Sequence, residues 1–273
     1  MGTDAAGSEA PIESGLLADR VAVVSGIGPG MGRDLALVLA RAGADVVLAA
    51  RTVERLAAVA AEVEGLGRRA HCVPTDIADP DACHDLAAEA ERTLGRIDVL
   101  VNNAFAEDPF VSIEDGGVEV WESVFEVNLW GTLQLTQAVV PAMRRAGGGS
   151  IVMINTLSTR VVNPLLGGYA SSKRALMTAA QSLALELGDD GIRVNSIAPG
   201  HIWGPSLEWY FGKLAKDRGI TPQEVYDEIA ERNCLKHIHT SEDVARVALF
   251  FASDRSRAIT GQTLDVNAGR YFH

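Results

Sequence analysis

The sequence predicts a single α/β domain built on a doubly wound, seven-stranded parallel sheet with helices on both faces. Three observations carry that prediction. Short β-branched apolar runs recur along the chain, and most are followed by a stretch whose apolar spacing is helical. The two patterns alternate almost from end to end, as parallel strands joined by crossover helices require. A glycine-rich segment, SGIGPGMG at 25–32, falls between the first run and the first helical stretch.

Taken in order, residues 20–25 (RVAVVS) read as the first buried strand and 33–44 (RDLALVLARAGA) as the helix that follows the glycines. DVVLAAR (45–51) is the second strand, and 53–67 an amphipathic helix. HCVPTDIAD (71–79) is a strand and turn. Pro80 then suits the first turn of a helix over 80–95. IDVLVNNA (97–104) is the fourth strand, 121–147 one long helix, and SIVMINT (150–156) the fifth strand. A helix over 167–188 and a strand over 192–200 follow. Thr240 caps a helix with an acidic first turn, and ITGQTLDVN (259–267) closes the sheet. Residues 201–240 break the rhythm and read as a substrate-binding lid inserted beyond a strand's carboxyl end.

Composition bounds the function. The chain has 273 residues, 47% hydrophobic and 22% charged, enough for a substantial core. A formal net charge of −12 argues against sequence-independent binding to nucleic-acid phosphates. No apolar run approaches the roughly 18 residues of a membrane span. Residues 1–16 are acidic, rich in small residues and unlike a signal peptide, so they read as a disordered or loosely attached leader to a domain over 17–273. Cys72, Cys83 and Cys234 lack CxxC spacing, which suits a reducing cytoplasm and argues against both a disulfide framework and a zinc site.

The chemistry concentrates in Thr156–Lys173. Tyr169 and Lys173 stand four residues apart on one helical face, where an ammonium favours the phenolate and lowers its pKa. Thr156 and Ser158 offer hydroxyls for a substrate oxygen. The glycine segment brings pyrophosphate to a helix N-terminus when it stands between strand and helix, as here. Its spacing, Gly26-x-x-x-Gly30-x-Gly32, differs from G-x-G-x-x-G, because Met31 falls at the last position of that pattern. After the second strand stand Ala50 and Arg51, with no acid to repel a 2′-phosphate, which favours NADP(H). NAD(H) is the alternative, with Arg51 then stacked on adenine or facing solvent. Asp76, followed by Ile77, is placed to meet the adenine.

With these motifs in hand, the chain resembles the short-chain dehydrogenase/reductase family over nearly its whole length from about residue 18, and so a Rossmann-type fold. Ser25, Gly26, Gly30 and Gly32 match its T-G-x-x-x-G-x-G, with serine for threonine. Asn102-Asn103-Ala104 matches N-N-A-G, with Phe105 for glycine. Asn128 matches the asparagine that kinks the central helix, Tyr169 and Lys173 match Y-x-x-x-K, and Pro199-Gly200, followed by Ile202, the turn beside the nicotinamide. The resemblance implies that Tyr169 is the general acid/base and that Lys173 binds the nicotinamide ribose and depresses the tyrosine pKa. It implies that Asn128 completes a proton relay and that helices pair between subunits in a homotetramer or homodimer. The family's substrate-orienting serine is Thr156 here, and Gly204 replaces a threonine that holds the carboxamide, with Ser206 as its substitute.

The expected reaction interconverts a secondary alcohol and a ketone. Trp203, Trp209, Tyr210, Phe211, Leu165 and Leu166 suggest a largely apolar, cyclic substrate, with Phe105 and Ser158 also at the pocket. Subunit packing is the other use for those aromatics. An NAD-preferring alcohol or diol dehydrogenase is the neighbouring reading, and a dinucleotide-bound sensor without turnover is the different class. His237-x-His239 has no supporting carboxylate or cysteine cluster, so no metal is expected.

Overall fold

The computed structural model describes residues 12–106 and 110–272. Seven parallel strands form one sheet: β1 (Val21–Ser25), β2 (Asp45–Ala50), β3 (Ala70–Pro74), β4 (Val99–Asn102), β5 (Gly149–Ile154), β6 (Ile192–Pro199) and β7 (Thr263–Val266). Their spatial order is β3-β2-β1-β4-β5-β6-β7. The direction of winding therefore reverses between β1 and β4, and connections leave the sheet in opposite directions there. A crevice opens at the carboxyl ends of the strands as a result.

Both faces of the sheet are covered, which is why the strands read as continuous apolar runs. Along β1 the side chains alternate. Ala22 and Val24 pack with α1 (Met31–Arg41), α2 (Val53–Gly65) and α9 (Ser241–Ala252), contributing Leu35, Leu56 and Phe251. Val21 and Val23 pack with α3 (Pro80–Leu94), α5 (Thr132–Ala146) and α6 (Gly167–Glu186), contributing Leu86, Leu135 and Leu176. Local chemistry sets the helix ends. The Asp79 carboxylate accepts from the Asp81 and Ala82 amides with Pro80 in the first turn, and Gly95 ends α3 at φ +89°. Thr240 and Asp243 cap α9 reciprocally.

The long helix expected over 121–147 is two helices. α4 (Val118–Phe125) passes into a π-helical turn at Glu126–Gly131 before α5 begins. Such a turn inserts an extra residue into the helical ladder, often at functional sites. Here it buries Asn128 completely and brings the Gly131 backbone against Ile77, where an added Cβ would lie 2.8 Å from the Ile77 carbonyl oxygen. Sequence periodicity does not see the break, because apolar residues continue through it.

Residues 201–240 hold α7 (Pro205–Arg218) and α8 (Pro222–Glu231), closed on a small core of Phe211, Ala215, Val225, Ala230 and Ile238. Residues 1–11 of the expected leader lie outside the described residues. Within 12–16, Ile12 and Leu16 pack against the core, the Gly15 amide donates to Ala42 O at 3.1 Å, and Glu13 pairs with Arg255. Among the described residues, no helix is long and apolar enough to cross a membrane.

Candidate active site

The glycine turn divides its labour. Gly26 adopts φ +76°, and a Cβ there would sit 2.5 Å from the Ala104 backbone. The end of β1 therefore stacks directly on the end of β4. At Gly32 a Cβ would lie 2.3 Å from the Gly26 carbonyl oxygen, so α1 packs tightly under its own turn. Gly28 and Gly30 differ, since nothing lies within 4 Å of their Cβ positions. They present bare backbone to the crevice. Ser25 Oγ braces the arrangement, donating to Val101 O at 3.4 Å and accepting from the Asn103 amide at 3.2 Å. Asn103 Nδ2 donates to Gly26 O at 2.8 Å.

Two cavities adjoin the turn. One of about 650 Å³ is lined by Gly26, Gly30, Met31, Gly32, Arg51, Asp76, Ile77, Asn103 and Ala104. The other, of about 460 Å³, is lined by Gly30, Met31, Asn103, Thr156, Tyr169, Lys173, Pro199, Gly200 and Ile202. Gly30, Met31, Asn103, Phe105 and Ser206 belong to both, making them two halves of one crevice. The residues fit an extended dinucleotide: open glycine backbone lies at a helix N-terminus, and buried Asn103 Oδ1 has no protein partner among the described residues.

At the far end of the larger half, Arg51 is exposed and lies 3.9 Å from the Asp76 carboxylate. Arg55, one turn into α2, lines the same half. Sequence reasoning missed this second cation, although Arg51-x-x-x-Arg55 spacing was its signal. Asp76 Oδ1 also accepts from the Ala78 amide at 3.1 Å, which shapes the turn after β3.

At the other end, Lys173 is 2% exposed and donates from Nζ to Ile154 O at 2.8 Å. Burial pushes its pKa down to about 8. Asn128 Oδ1 accepts from the Ala106 amide at 2.8 Å, while its Nδ2 donates to Ala106 O and Ser172 Oγ, both at 3.2 Å. Ser172 Oγ in turn donates to Tyr169 O at 2.8 Å, tying the π-helical turn to the first turn of α6. The Phe105 ring meets Tyr169 edge-on, with centroids 6.5 Å apart.

Thr156 lines the cavity and Ser158 does not. The chain leaves β5 extended at Thr156 and then curls into a 3₁₀ turn at Leu157–Thr159. Thr156 Oγ1 accepts from the Ser158 amide at 3.2 Å and lies 3.4 Å from Ser158 Oγ. The structure also places the expected aromatic lining elsewhere. Trp203 packs inside the lid, 4.8 Å from the Tyr226 ring and 5.7 Å from Phe211. Trp209 is 70% exposed, Tyr210 and Leu165 are exposed, and Phe211 is buried in the lid core. Neither tryptophan, nor Leu165 or Leu166, lines the crevice; Phe105, Ile154, Ile202 and Leu207 do. Phe105 and Ile202 were expected at the crevice from the sequence, whereas Ile154 and Leu207 were not. Among the described residues, no three His, Cys, Asp or Glu side chains converge as a metal site.

A nucleotide crevice at the β1/β4 reversal, a tyrosine–lysine pair on α6 and an asparagine in a π-helical turn together define a dinucleotide-dependent oxidoreductase. The chain belongs to the short-chain dehydrogenase/reductase family, enzymes that act on CH–OH groups with NAD(P). The family model described as enoyl-(acyl carrier protein) reductase matches residues 26–270. Similar proteins include the L-rhamnose 1-dehydrogenase (NAD(P)(+)) of Sphingomonas sp., 36% identical over 94% of this chain and 98% of that one. Carveol dehydrogenase from Mycobacterium avium, in complex with NAD, superposes with a TM-score of 0.88 at 29% identity, covering 94% and 99% of the two chains. L-sorbose reductase from Gluconobacter frateurii, complexed with NADPH and L-sorbose, gives 0.86 at 31% identity, covering 93% and 97%.

Proposed function

We infer that the protein interconverts a secondary alcohol and a ketone with NADP(H), on a largely apolar substrate. The observation that carries this reading is the shared crevice, which joins the glycine turn to Thr156, Tyr169 and Lys173. When bound, the nicotinamide supplies the hydride chemistry. Gly30, Met31, Asn103, Pro199, Gly200 and Ile202 would hold the dinucleotide, and Arg51 with Arg55 would take the 2′-phosphate. Tyr169 gives its phenolic proton to the carbonyl oxygen in reduction and takes one from the alcohol in oxidation. Lys173, still charged near neutrality at a pKa of about 8, stabilises the phenolate that results. Thr156 orients the substrate oxygen. Asn128 holds the Ala106 backbone and the start of α6 so that the relay beside Tyr169 stays in register.

Phe105, Ile202 and Leu207 support an apolar substrate in place of the tryptophans. A second reading, NAD(H), is supported by one observation: the Asp76 carboxylate stands beside Arg51 and opposes an added phosphate. Exposed Val118 and Trp130 near the π-helical turn support a homo-oligomer, a tetramer or dimer, and the free cysteines Cys72, Cys83 and Cys234 accord with a cytoplasmic location. A panel of bulky alcohols and ketones assayed with NADPH and NADH tests the function. Absence of turnover with retained dinucleotide binding would favour a sensor and defeat the enzymatic assignment.

A further inference from the structure

Asn155 carries polar chemistry that neither the fold nor the reaction centre described above uses. It follows the last residue of β5 and is 3% exposed. Its backbone N–H donates to Ile197 O at 2.7 Å, fixing it to β6 two residues before Pro199. The preceding carbonyl, on Ile154, receives Lys173 Nζ, and the following residue is Thr156. Asn155 lines the reaction half of the crevice together with Tyr169 and Lys173. Both side-chain polar atoms, Nδ2 and Oδ1, are buried, and neither has a hydrogen-bond partner among the described residues.

A buried amide left in this state is unfavourable until a ligand or water completes it. The neighbours indicate which ligand. Lys173 has only donors, and one of them is committed to Ile154. A hydroxyl that accepts from Lys173 still has its own O–H to place, and an ammonium cannot receive it. Asn155 Oδ1 is an acceptor, and Nδ2 is a donor for an adjacent oxygen. An amide beside an ammonium therefore matches a vicinal diol better than it matches a lone carbonyl.

We propose that Asn155 is a further cofactor-binding residue, which takes up a hydroxyl of the nicotinamide ribose beside Lys173. This rests on reading the Tyr169–Lys173 end of the crevice as the nicotinamide end. The adenosine end gains nothing from Asn155, so the two halves of the cofactor report on it separately.

The test is calorimetric binding to the full-length, cofactor-free protein with two probes. One is the tighter-binding of NADPH and NADH. The other is its nicotinamide-free half, adenosine 2′,5′-bisphosphate or AMP respectively. Asn155→Ala is expected to weaken the dinucleotide about ten-fold, the worth of one net hydrogen bond, and to leave the nicotinamide-free half within about two-fold. Its ligand-free Tm is expected to equal or exceed that of the parent, because the truncation removes an unpartnered amide. Asn155→Ser keeps a hydroxyl and is expected to fall between the two, and it decides the matter if the alanine variant does not fold. Unchanged dinucleotide affinity, or equal weakening of both probes, overturns the proposal. A parent protein that binds neither probe overturns the nucleotide reading instead.

Discussion

Lys173 Nζ and the Ile154 carbonyl lie 2.8 Å apart, a single hydrogen bond joining the interior of α6 to the last residue of β5. Through it α6 is referenced to the strand that leads into Asn155 and Thr156. The ammonium is buried, and the desolvation holds its pKa at about 8 against an ordinary 10.5. The folded state therefore binds this proton more weakly than the unfolded chain does.

That inequality has a signed consequence for stability. Between about pH 8 and pH 10.5 the unfolded chain carries the extra proton, so the contribution of Lys173 to stability rises with pH across this window. Its penalty is fully present below pH 8 and is gone above 10.5. Lys173→Met is expected to stabilise the cofactor-free protein at pH 7 by on the order of 2 kcal/mol while abolishing turnover. Urea melts at pH 7 and pH 10 check this, with most of the gain expected to be lost at the higher pH.

Tyr169→Phe removes the phenolic proton and keeps the ring against Phe105. Turnover is expected to fall by about 100- to 10,000-fold, the usual worth of a positioned acid–base group, with dinucleotide affinity retained. Undiminished turnover in a steady-state assay would remove Tyr169 from the mechanism.

Arg51 and Arg55 face one half of the crevice, and each is expected to contribute a charge-assisted contact to a 2′-phosphate. Replacing both with alanine is expected to raise the Kd for NADPH by about 10- to 100-fold and to leave NADH nearly unchanged. Asp76→Asn is expected to move the preference the other way, since it removes the opposing carboxylate. Titration of both dinucleotides against each variant reads the two effects.

The lid tryptophans separate a packing role from a pocket role. Trp203 contacts Tyr226 and Phe211, so Trp203→Ala is expected to destabilise the lid by about 3 kcal/mol and to raise KM as the crevice loosens. Trp209 is 70% exposed, with Lys213 over its ring, so Trp209→Ala is expected to stay within about 0.5 kcal/mol and to keep its kcat/KM. Thermal melts and kinetics on the pair distinguish the roles.

Burial of His239 sets a limit on the acid side. Desolvation lowers its pKa from 6.5 to about 4, so the unfolded chain holds the extra proton between these values. Stability is expected to fall as pH drops from 6.5 towards 4, and His239→Gln is expected to flatten that decline in denaturant melts.

Much of this protein is written locally. Strand and helix periodicity, the glycine spacing at 26–32 and the Tyr169–Lys173 interval each act within a few residues, and together they determine a doubly wound sheet with a glycine turn and a tyrosine–lysine pair one helical turn apart. The break in the helix carrying Asn128 left no trace in the pattern, because a π-helical turn changes hydrogen-bond partners without interrupting apolar spacing. The tertiary structure alone decided which side chains share the crevice. Trp203 and Phe211 are apolar enough to line a pocket or fill a lid core, and only the closure of α7 on α8 chose the core. Asn155 reads in sequence as one more polar residue at a strand end. The fold pins its backbone to β6 and buries its side chain at the crevice that Lys173 also lines, because the strand register and the Lys173–Ile154 bond bring those distant segments to one place.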